Sequence, residues 1–219
     1  MRLSVVIPTL NEARYLPAAL DALERHAVAG GPCEVIVADC GSADGTAEIA
    51  RARGCRVLVG EGWCCRGQAA DAGAREAAGE VLLFLDADTR PPAGYDREIE
   101  AALARPRVVG GAFEFELDGR GWPLRVVELV DRIRYRVRRF YYGDQALFVR
   151  ADAFRRVGGF PPVELFETAE LCRRLRRVGR LVLVSRPAAT SPRRFQEGGV
   201  WRVFLHDVYL WALHLCGRR

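Results

Sequence analysis

Apolar runs alternate with segments of helical periodicity along the first half of the chain. The run LSVVI is continuous and rich in β-branched residues, which is typical of a strand buried on both faces of a sheet. The predicted strands are 3–7, 33–39, 55–60 and 80–88. The predicted helices between them are 11–27, 42–54 and 67–79. This alternation predicts an α/β fold with a mostly parallel, doubly wound sheet.

The second half of the chain is less regular. The alternation over 108–117 predicts an antiparallel strand that places Phe113 and Phe115 on one face. The other predicted elements are helices within 121–145, 151–160, 165–179 and 199–217 and strands at 146–150 and 181–185. Because the sequence contains no internal repeat, low-complexity segment or linker, we predict a single domain over residues 1–219.

Acidic side chains stand where the predicted strands end. Glu12 follows the first strand, Asp39 ends the second, and Asp86 and Asp88 end the fourth. Ligand sites in such sheets lie beyond the carboxyl ends of the strands, so these acids are expected to converge there. Burying a carboxylate costs free energy unless it is paired or bound to a cation. An alternative interpretation is that Asp39 and Glu12 cap neighbouring helices.

The Asp-x-Asp spacing of Asp86 and Asp88 suits a divalent cation. Two carboxylates on a turn offer hard oxygen ligands, and Mg2+ or Mn2+ held in this way keeps open positions for phosphate oxygens. Such a cation would neutralise a diphosphate group and stabilise it as it leaves. The pattern alone is weak, so the prediction depends on its position after a buried strand and opposite Glu12 and Asp39.

Composition narrows the class of protein. The chain has 219 residues, 50% of them hydrophobic, which is enough to bury the core of a globular domain. The formal net charge is +5, and all 33 basic residues are arginine. Acidic and basic residues are interspersed for most of the chain, so the charge does not indicate nucleic acid and we expect no such partner.

The cysteines and the N-terminus bear on location. The seven cysteines are irregularly spaced, which favours free thiols in a reducing cytosol, with the adjacent Cys64-Cys65 pair as a redox-active alternative. The N-terminus lacks a signal-peptide core, and no uncharged apolar stretch reaches the length of about 18 residues that spans a bilayer. We expect a cytoplasmic protein, free or peripheral on the inner membrane face.

Several motifs carry a resemblance to a known family. SVVIPTLNE, VIVADCGSADGT and VLLFLDADT resemble the nucleotide-binding half of family-2 glycosyltransferases, which have the GT-A fold. GDQALFVRADAFRRVGGF, LFETAELCRRLRRVGR and TSPRRF continue the match in the same order. The likeness covers nearly the whole chain and is greatest to a compact bacterial branch with a GDQ element and no membrane domain. It implies a nucleotide-binding half at 1–90 and a smaller acceptor-side lobe at 91–219.

The resemblance also implies substrates and their site. It implies a nucleotide-diphosphate sugar, of the UDP type, as donor, an unknown acceptor, and Mn2+ or Mg2+ as cofactor. The residues implied to bind the donor are Pro8, Thr9, Asn11, Glu12, Asp39, Arg66, Asp86, Ala87 and Asp88. Among them Asp88 is the implied metal ligand and Asp86 its partner toward the ribose and metal. The residues implied at the diphosphate or acceptor are Gly143, Gln145, Arg193 and Arg194, with the arginine pair on a mobile loop.

The resemblance implies an inverting reaction, in which one carboxylate deprotonates the acceptor hydroxyl. In relatives this base is the Asp of a Glu-Asp pair before a helix, whereas this chain has Glu167-Thr168. Threonine is no general base at neutral pH, so Glu167, then Glu170 and Asp144, become the candidates. The alternative function is a non-catalytic or weakly active nucleotide-sugar-binding protein.

Two other enzyme classes fit the sequence less well. A sugar-nucleotide pyrophosphorylase needs a glycine-rich phosphate-binding loop after the first strand, and PTLNE contains no glycine. A dinucleotide-dependent dehydrogenase needs a G-x-G-x-x-G motif after a strand, which the sequence lacks. The donor sugar, the acceptor and the oligomeric state are left open.

Two predicted helices carry surfaces with more than one interpretation. The basic residues of the first are Arg132, Arg134, Arg136, Arg138 and Arg139. They suit a solvated face, an anionic acceptor or anionic lipid headgroups. The last helix spaces Trp201, Phe204, Leu205, Val208 and Trp211 as a stripe, which is more often core than membrane anchor. His206 and His214 are expected in the core or on the surface rather than as metal ligands.

Overall fold

The computed structural model describes residues 1–60, 62–63, 65–138, 140–163 and 166–215. The strands are β1 (Leu3–Thr9), β2 (Glu34–Asp39), β3 (Arg56–Val59), β4 (Val81–Phe84), β5 (Thr89–Arg90), β6 (Val108–Leu117), β7 (Leu147–Arg150) and β8 (Arg180–Thr190). The helices are α1 (Leu16–His26), α2 (Thr46–Ala52), α3 (Arg66–Glu76), α4 (Tyr95–Leu103), α5 (Trp122–Arg138), α6 (Ala151–Arg156), α7 (Glu167–Leu175), α8 (Arg193–Gly198) and α9 (Val200–Leu215). Cys64, Arg139 and Cys216 lie outside the described residues, as do the side chains of Arg138 and His214.

Eight strands of the described residues form one sheet in the order β3-β2-β1-β4-β7-β6-β8-β5. Strands β3, β2, β1 and β4 are parallel neighbours. Strand β7 is antiparallel to β4 and β6, and β8 is parallel to β6 and antiparallel to the short β5. The predicted α/β class with a mostly parallel sheet is therefore confirmed, whereas the division of the chain at residue 90 stays a prediction.

Helices cover both faces of β1, whose residues are all buried. Val5 and Ile7 pack with Leu16 of α1 on one side, whereas Val6 packs with Ala70 of α3 on the other. A Cβ added at Gly73 would lie 2.5 Å from Val6 Cγ1, so only the missing side chain allows α3 to approach β1 this closely. This close packing places the first residue of α3, Arg66, at the carboxyl edge of the sheet.

Strand β6 departs from the predicted regular alternation. Phe113 packs with Phe148 in one cluster, at 5.8 Å between ring centroids, whereas Phe115 packs with the opposite cluster. The prediction that Phe113 and Phe115 share a face is wrong, because the pairing of β6 with β8 shifts register between Phe113 and Glu114.

Helix α4 lies in a segment to which the sequence pattern assigned no element. Its first residue, Tyr95, is fully buried, and the next, Asp96, accepts backbone N–H groups from Val28, Ala29 and Gly31. Burial alone would raise the pKa of Asp96, but these hydrogen bonds outweigh it and hold the pKa below its usual value. Asp96 thus ties the loop after α1 to α4.

Helices α5 and α9 leave large apolar side chains exposed. On α5 the exposed apolar residues are Trp122, Leu129, Val130 and Ile133. On α9 they are Trp201, Leu205, Val208 and Tyr209, whereas Phe204 packs against the core. The interpretation of the terminal stripe as core therefore holds only for part of it. His206 is exposed. Within the described residues, none of the helices is both long and apolar enough to cross a membrane.

Candidate active site

A cleft of about 920 Å3 opens at the carboxyl edge of β1, β2 and β4. From the first half of the chain its lining residues are Pro8, Thr9, Leu10, Glu12, Cys40, Trp63, Cys65, Arg66, Asp86, Ala87 and Asp88. Most of the predicted donor-binding residues thus meet in one cleft. Two others, Asn11 and Asp39, lie beside it.

Asp86 is paired with Arg66. Arg66 Nε donates to Asp86 Oδ1 at 2.6 Å, and Arg66 Nη1 lies 3.0 Å from Glu167 Oε1. Burial alone would lower the pKa of Arg66, but the two carboxylates outweigh it and raise the pKa. The guanidinium therefore remains charged between β4 and α7. The expected role of Arg66 in donor binding stays a prediction.

Asp88 is paired with Arg193 of α8. Arg193 Nε lies 2.9 Å from Asp88 Oδ2, and the same guanidinium donates to both carboxylate oxygens of Glu12. Burial raises the pKa of Asp88 to about 6, with further contributions from Asp86 and Glu12 that Arg193 only partly offsets. Negative charge is therefore concentrated at Asp88, and a second cation would relieve it.

The carboxylates of Asp86 and Asp88 suit a divalent cation that binds together with a phosphate-bearing ligand. Asp86 and Asp88 offer carboxylate oxygens, the ligands that Mg2+ and Mn2+ prefer. In the described part of the chain, however, no three His, Cys, Asp or Glu side chains come together to hold a metal. A cation at Asp86 and Asp88 would take its remaining ligands from phosphate oxygens and water.

Asn11 and Asp39 shape the adjacent loops. Asp39 is 1% exposed and accepts hydrogen bonds from the hydroxyls of Thr9 and Ser42 and from the backbone N–H groups of Gly41 and Ser42. Asn11 adopts φ 56°, and its side chain accepts the N–H of Ala43. The structure thus gives Asn11 and Asp39 internal partners and brings neither into the lining of the cleft. In the described structure, helices α1, α2 and α3 begin without a side-chain cap hydrogen bond, so Asp39 caps none of these three.

The second half contributes a charged group that lines the same cleft as Asp86 and Asp88. Its members Asp131, Arg134, Tyr142 and Asp144 all line the cleft. Arg134 lies over the Tyr142 ring at 4.2 Å and pairs with Asp131 at 3.1 Å. Burial, with the nearby Asp131 and Asp86, raises the pKa of Asp144 to about 7. Among the described residues, no ion pair within 4.0 Å holds the Asp144 carboxylate.

The other two candidate bases are less available. Glu167 accepts from Arg66 and from the hydroxyl of Thr168, which is itself 2% exposed. Glu170 pairs with Arg173 and Arg174, and these contacts lower its pKa to about 2. Neither glutamate lies in the described lining of the cleft, whereas Asp144 does.

The GDQ element forms a 3-10 turn whose residues have separate roles. A Cβ added at Gly143 would lie 2.3 Å from Arg66 Nη2, so this position must lack a side chain for Arg66 to reach Asp86. Gln145 is 1% exposed, donates to the carbonyl of Phe113 and accepts the N–H of Tyr142. Gln145 therefore braces the turn and lies outside the described lining of the cleft, and its predicted place at the diphosphate or acceptor stays untested.

The arginine pair lies at the start of helix α8, and its predicted placement on a loop is corrected here. Pro192 immediately precedes this helix, which suits a helix start because proline lacks the N–H that helix ends leave unpaired. Arg193 faces Asp88, whereas Arg194 pairs with Asp207 of α9.

Sequence reasoning missed Leu10, Cys40, Trp63, Asp131 and Tyr142 as lining residues. The Trp63 ring occupies the space that a Cβ at Gly60 would fill, a contact that no sequence pattern reports.

The sheet order and the acid-lined cleft at its carboxyl edge define a GT-A fold. Residues 4–157 match the model of glycosyl transferase family 2, and the chain belongs to this family. It is 29% identical over 168 residues to glycosyltransferase AglE of Haloferax volcanii, covering 72% of this chain and 55% of that protein. It is 35% identical over 136 residues to an undecaprenyl-phosphate 4-deoxy-4-formamido-L-arabinose transferase of Pseudomonas paraeruginosa, covering 58% of this chain and 40% of that protein. The chain thus spans about half the length of these relatives.

A solved structure supports the fold. Glucosyl-3-phosphoglycerate synthase from Mycobacterium tuberculosis, solved with Mn2+, UDP and glucosyl-3-phosphoglycerate, superposes with a TM-score of 0.71 at 24% identity. The match covers 100% of this chain and 81% of the synthase. The GT-A fold expected from the sequence motifs is confirmed.

Proposed function

We propose that this protein is an inverting, metal-dependent glycosyltransferase that moves a sugar from a UDP-type donor to an acceptor hydroxyl. One observation carries the proposal: a single cleft brings the arginine-paired acids Asp86 and Asp88 together with Asp144, whose carboxylate has no ion pair among the described residues. Family membership supports the reaction class. The UDP and Mn2+ bound to the mycobacterial synthase support the choice of nucleotide and cation.

The donor diphosphate would lie between Arg66 and Arg193. Each guanidinium now contacts a carboxylate, at 2.6 Å and 2.9 Å, and presents a planar fork that also matches phosphate oxygens. Asp86 and Asp88 would hold Mn2+ or Mg2+, which supplies positive charge to the diphosphate when bound. With charge from both sides, the diphosphate becomes a better leaving group.

Asp144 is the proposed general base. It takes the proton of the acceptor hydroxyl as that oxygen bonds to the anomeric carbon and the bond from this carbon to the diphosphate breaks. The nucleoside diphosphate leaves, and a single displacement inverts the anomeric centre. Glu167 would position Arg66, since it holds Nη1 of Arg66 at 3.0 Å.

A second candidate function is nucleotide-sugar binding without transfer. It is favoured by Thr168, which is buried and hydrogen-bonded to Arg66 at the position where the resemblance in sequence implies a catalytic Asp. This protein would bind UDP-sugars through the same acids and arginines but release no UDP.

UDP release from a panel of UDP-sugars, with Mn2+ and with EDTA, tests both functions. Transfer predicts Mn2+-dependent UDP release, since even without an acceptor these donors undergo slow hydrolysis in a competent site. Thermal stabilisation by UDP and Mn2+ without any UDP release would favour the binding protein. If neither UDP-sugars nor GDP-sugars shift the melting temperature, both functions are wrong.

A further inference from the structure

We propose that the acceptor carries a long hydrocarbon chain, which lies in an apolar channel between α5 and α9. This inference rests on the proposed function, because it names the acceptor class of the same cleft. Its starting observation is that the cleft extends well beyond the residues that the donor needs.

Apolar side chains of α5, β6 and α9 predominate in the far part of the cleft, where the charged lining residues are Asp131, Arg134, Arg194 and Asp207. The apolar residues of α5 and β6 include Val127, Val130, Ile133 and Phe115, and those of α9 include Phe204 and Val208. A nucleotide sugar presents hydroxyl and phosphate groups that need polar partners, whereas here the charged side chains pair with one another, Arg134 with Asp131 and Arg194 with Asp207, and the rest of this lining is apolar. A hydrocarbon chain, in contrast, gains free energy for each methylene group that leaves water.

The order of residues along the cleft orients such an acceptor. Asp131, Arg134 and Asp144 also line the cleft, and α5 carries Asp131 and Arg134 next to Val130 and Ile133. The reacting hydroxyl would lie at Asp144 and the chain would run along α5. The channel is open to solvent, because Val130 is 37%, Ile133 56% and Val208 40% exposed. A chain longer than the channel can therefore extend out of it.

The helices supply matched controls. Leu129 is 54% and Leu205 63% exposed, and in the described structure both lie outside the cleft. They are on the same two helices as Val130 and Val208. Substitution by Asp at these four partly or fully exposed positions is expected to leave the fold intact. Comparing the Val130 and Val208 variants with the Leu129 and Leu205 variants therefore distinguishes binding in the channel from binding on the outer face of the two helices.

The probe is a series of n-alkyl β-D-glucosides of increasing chain length, kept below their micelle concentrations and titrated calorimetrically with UDP and Mn2+ present. We expect binding to tighten by about fourfold for each buried methylene group until the channel is filled. Val130→Asp and Val208→Asp should each lower the affinity for the longest glucoside by about tenfold or more, since each places a charge against buried methylene groups. Leu129→Asp and Leu205→Asp should change the affinity for the same glucoside less than twofold.

Affinity that does not depend on chain length would overturn the proposal. So would equal weakening by Leu129→Asp and Val130→Asp, which would indicate a flat apolar face suited to a bilayer or a second copy of the chain. The UDP-induced shift in melting temperature, measured on the same samples, keeps the two proposals apart. If UDP raises the melting temperature but glucoside affinity does not depend on alkyl chain length, only the proposed acceptor class is wrong. If affinity depends on chain length but UDP does not raise the melting temperature, the channel is supported and the proposed donor is wrong.

Discussion

The Nε atom of Arg193 lies 2.9 Å from Oδ2 of Asp88, and the other nitrogens of Arg193 contact Glu12. One guanidinium from α8 therefore neutralises an acid of the candidate metal site and an acid of the loop after β1. A divalent cation at Asp88 would compete with Arg193 for the same oxygen. Cation binding and the position of α8 are thus coupled through this contact.

The first prediction concerns the cation. UDP with Mn2+, at about 100 times its dissociation constant, should stabilise the protein by about 2.7 kcal/mol. At about 2–4 °C per kcal/mol for a chain of this size, the melting temperature should rise by about 5–10 °C. Asp88→Asn should lose the Mn2+-dependent part of this shift. Asp118→Asn is the control, since Asp118 is 58% exposed and lies outside the described lining of the cleft. An unchanged Mn2+ effect in Asp88→Asn would contradict the metal assignment.

The second prediction concerns the base. Asp144→Asn should lower kcat by about 10²–10⁴-fold, the usual contribution of a positioned general base. Stabilisation by UDP and Mn2+ should persist, because the proposed function places Asp144 at the acceptor hydroxyl and assigns it no contact with the nucleotide. Glu170→Gln should keep at least half of the activity, since Glu170 pairs only with α7 arginines in the described structure. Equal activity of Asp144→Asn and the wild type in steady-state UDP release would exclude Asp144 as the base.

The third prediction is a pH dependence. A base must be deprotonated to act, and burial raises the pKa of Asp144 to about 7. The value of kcat/KM should therefore rise with pH and level off above about 7, falling about tenfold for each pH unit below it. A rate that is already constant from pH 5.5 upward would indicate a base of ordinary pKa.

The fourth prediction concerns the clearance at Gly143. Its added Cβ would lie 2.3 Å from Arg66 Nη2, so Gly143→Ala should displace Arg66 and weaken UDP binding. A double-mutant cycle isolates the cause. In an Arg66→Ala background the same substitution should have little further effect on UDP affinity measured by calorimetry. A full additional loss would show that Gly143 acts through another neighbour.

The fifth prediction concerns stability. Asp96→Asn should lower the free energy of unfolding by about 1–3 kcal/mol, because it weakens the charge-assisted hydrogen bonds that backbone N–H groups donate to the buried Asp96 carboxylate. The pKa of Asp96 is lower in the folded state, so its contribution is present above the unfolded pKa and is lost as the pH falls through the folded one. Urea unfolding at pH 7 and pH 3 should show the difference between variant and wild type shrinking at the lower pH. Glu48→Gln, at an exposed side chain, is the control.

The cleft was predictable in part. Parallel strands bring their carboxyl ends to one edge, so the meeting of Asp86, Asp88 and Glu12 followed from strand order alone. The contact of Arg193 with Glu12 spans 181 positions and depends on how α8 packs, which no local pattern reports. The internal use of Asp39 did have a local signal, because the following Gly41 and Ser42 can bond back to it in a turn.

Other departures have a similar physical origin. Phe113 and Phe115 were assigned to one face because alternation assumes a regular strand, and the register shift against β8 is set by pairing partners distant in sequence. The choice among Glu167, Glu170 and Asp144 depends on which arginine lies beside each carboxylate. That information exists only in three dimensions.

The two ends of the sheet have a consequence for assembly. The outermost strands, β3 and β5, are only four and two residues long. The β3 edge offers few free backbone groups to an incoming strand, so strand addition and edge-to-edge aggregation are disfavoured on that side. At the other end β5 pairs only with Ala189 and Thr190 of the longer β8 (Arg180–Thr190), so β5 leaves most of the outer side of β8 uncovered.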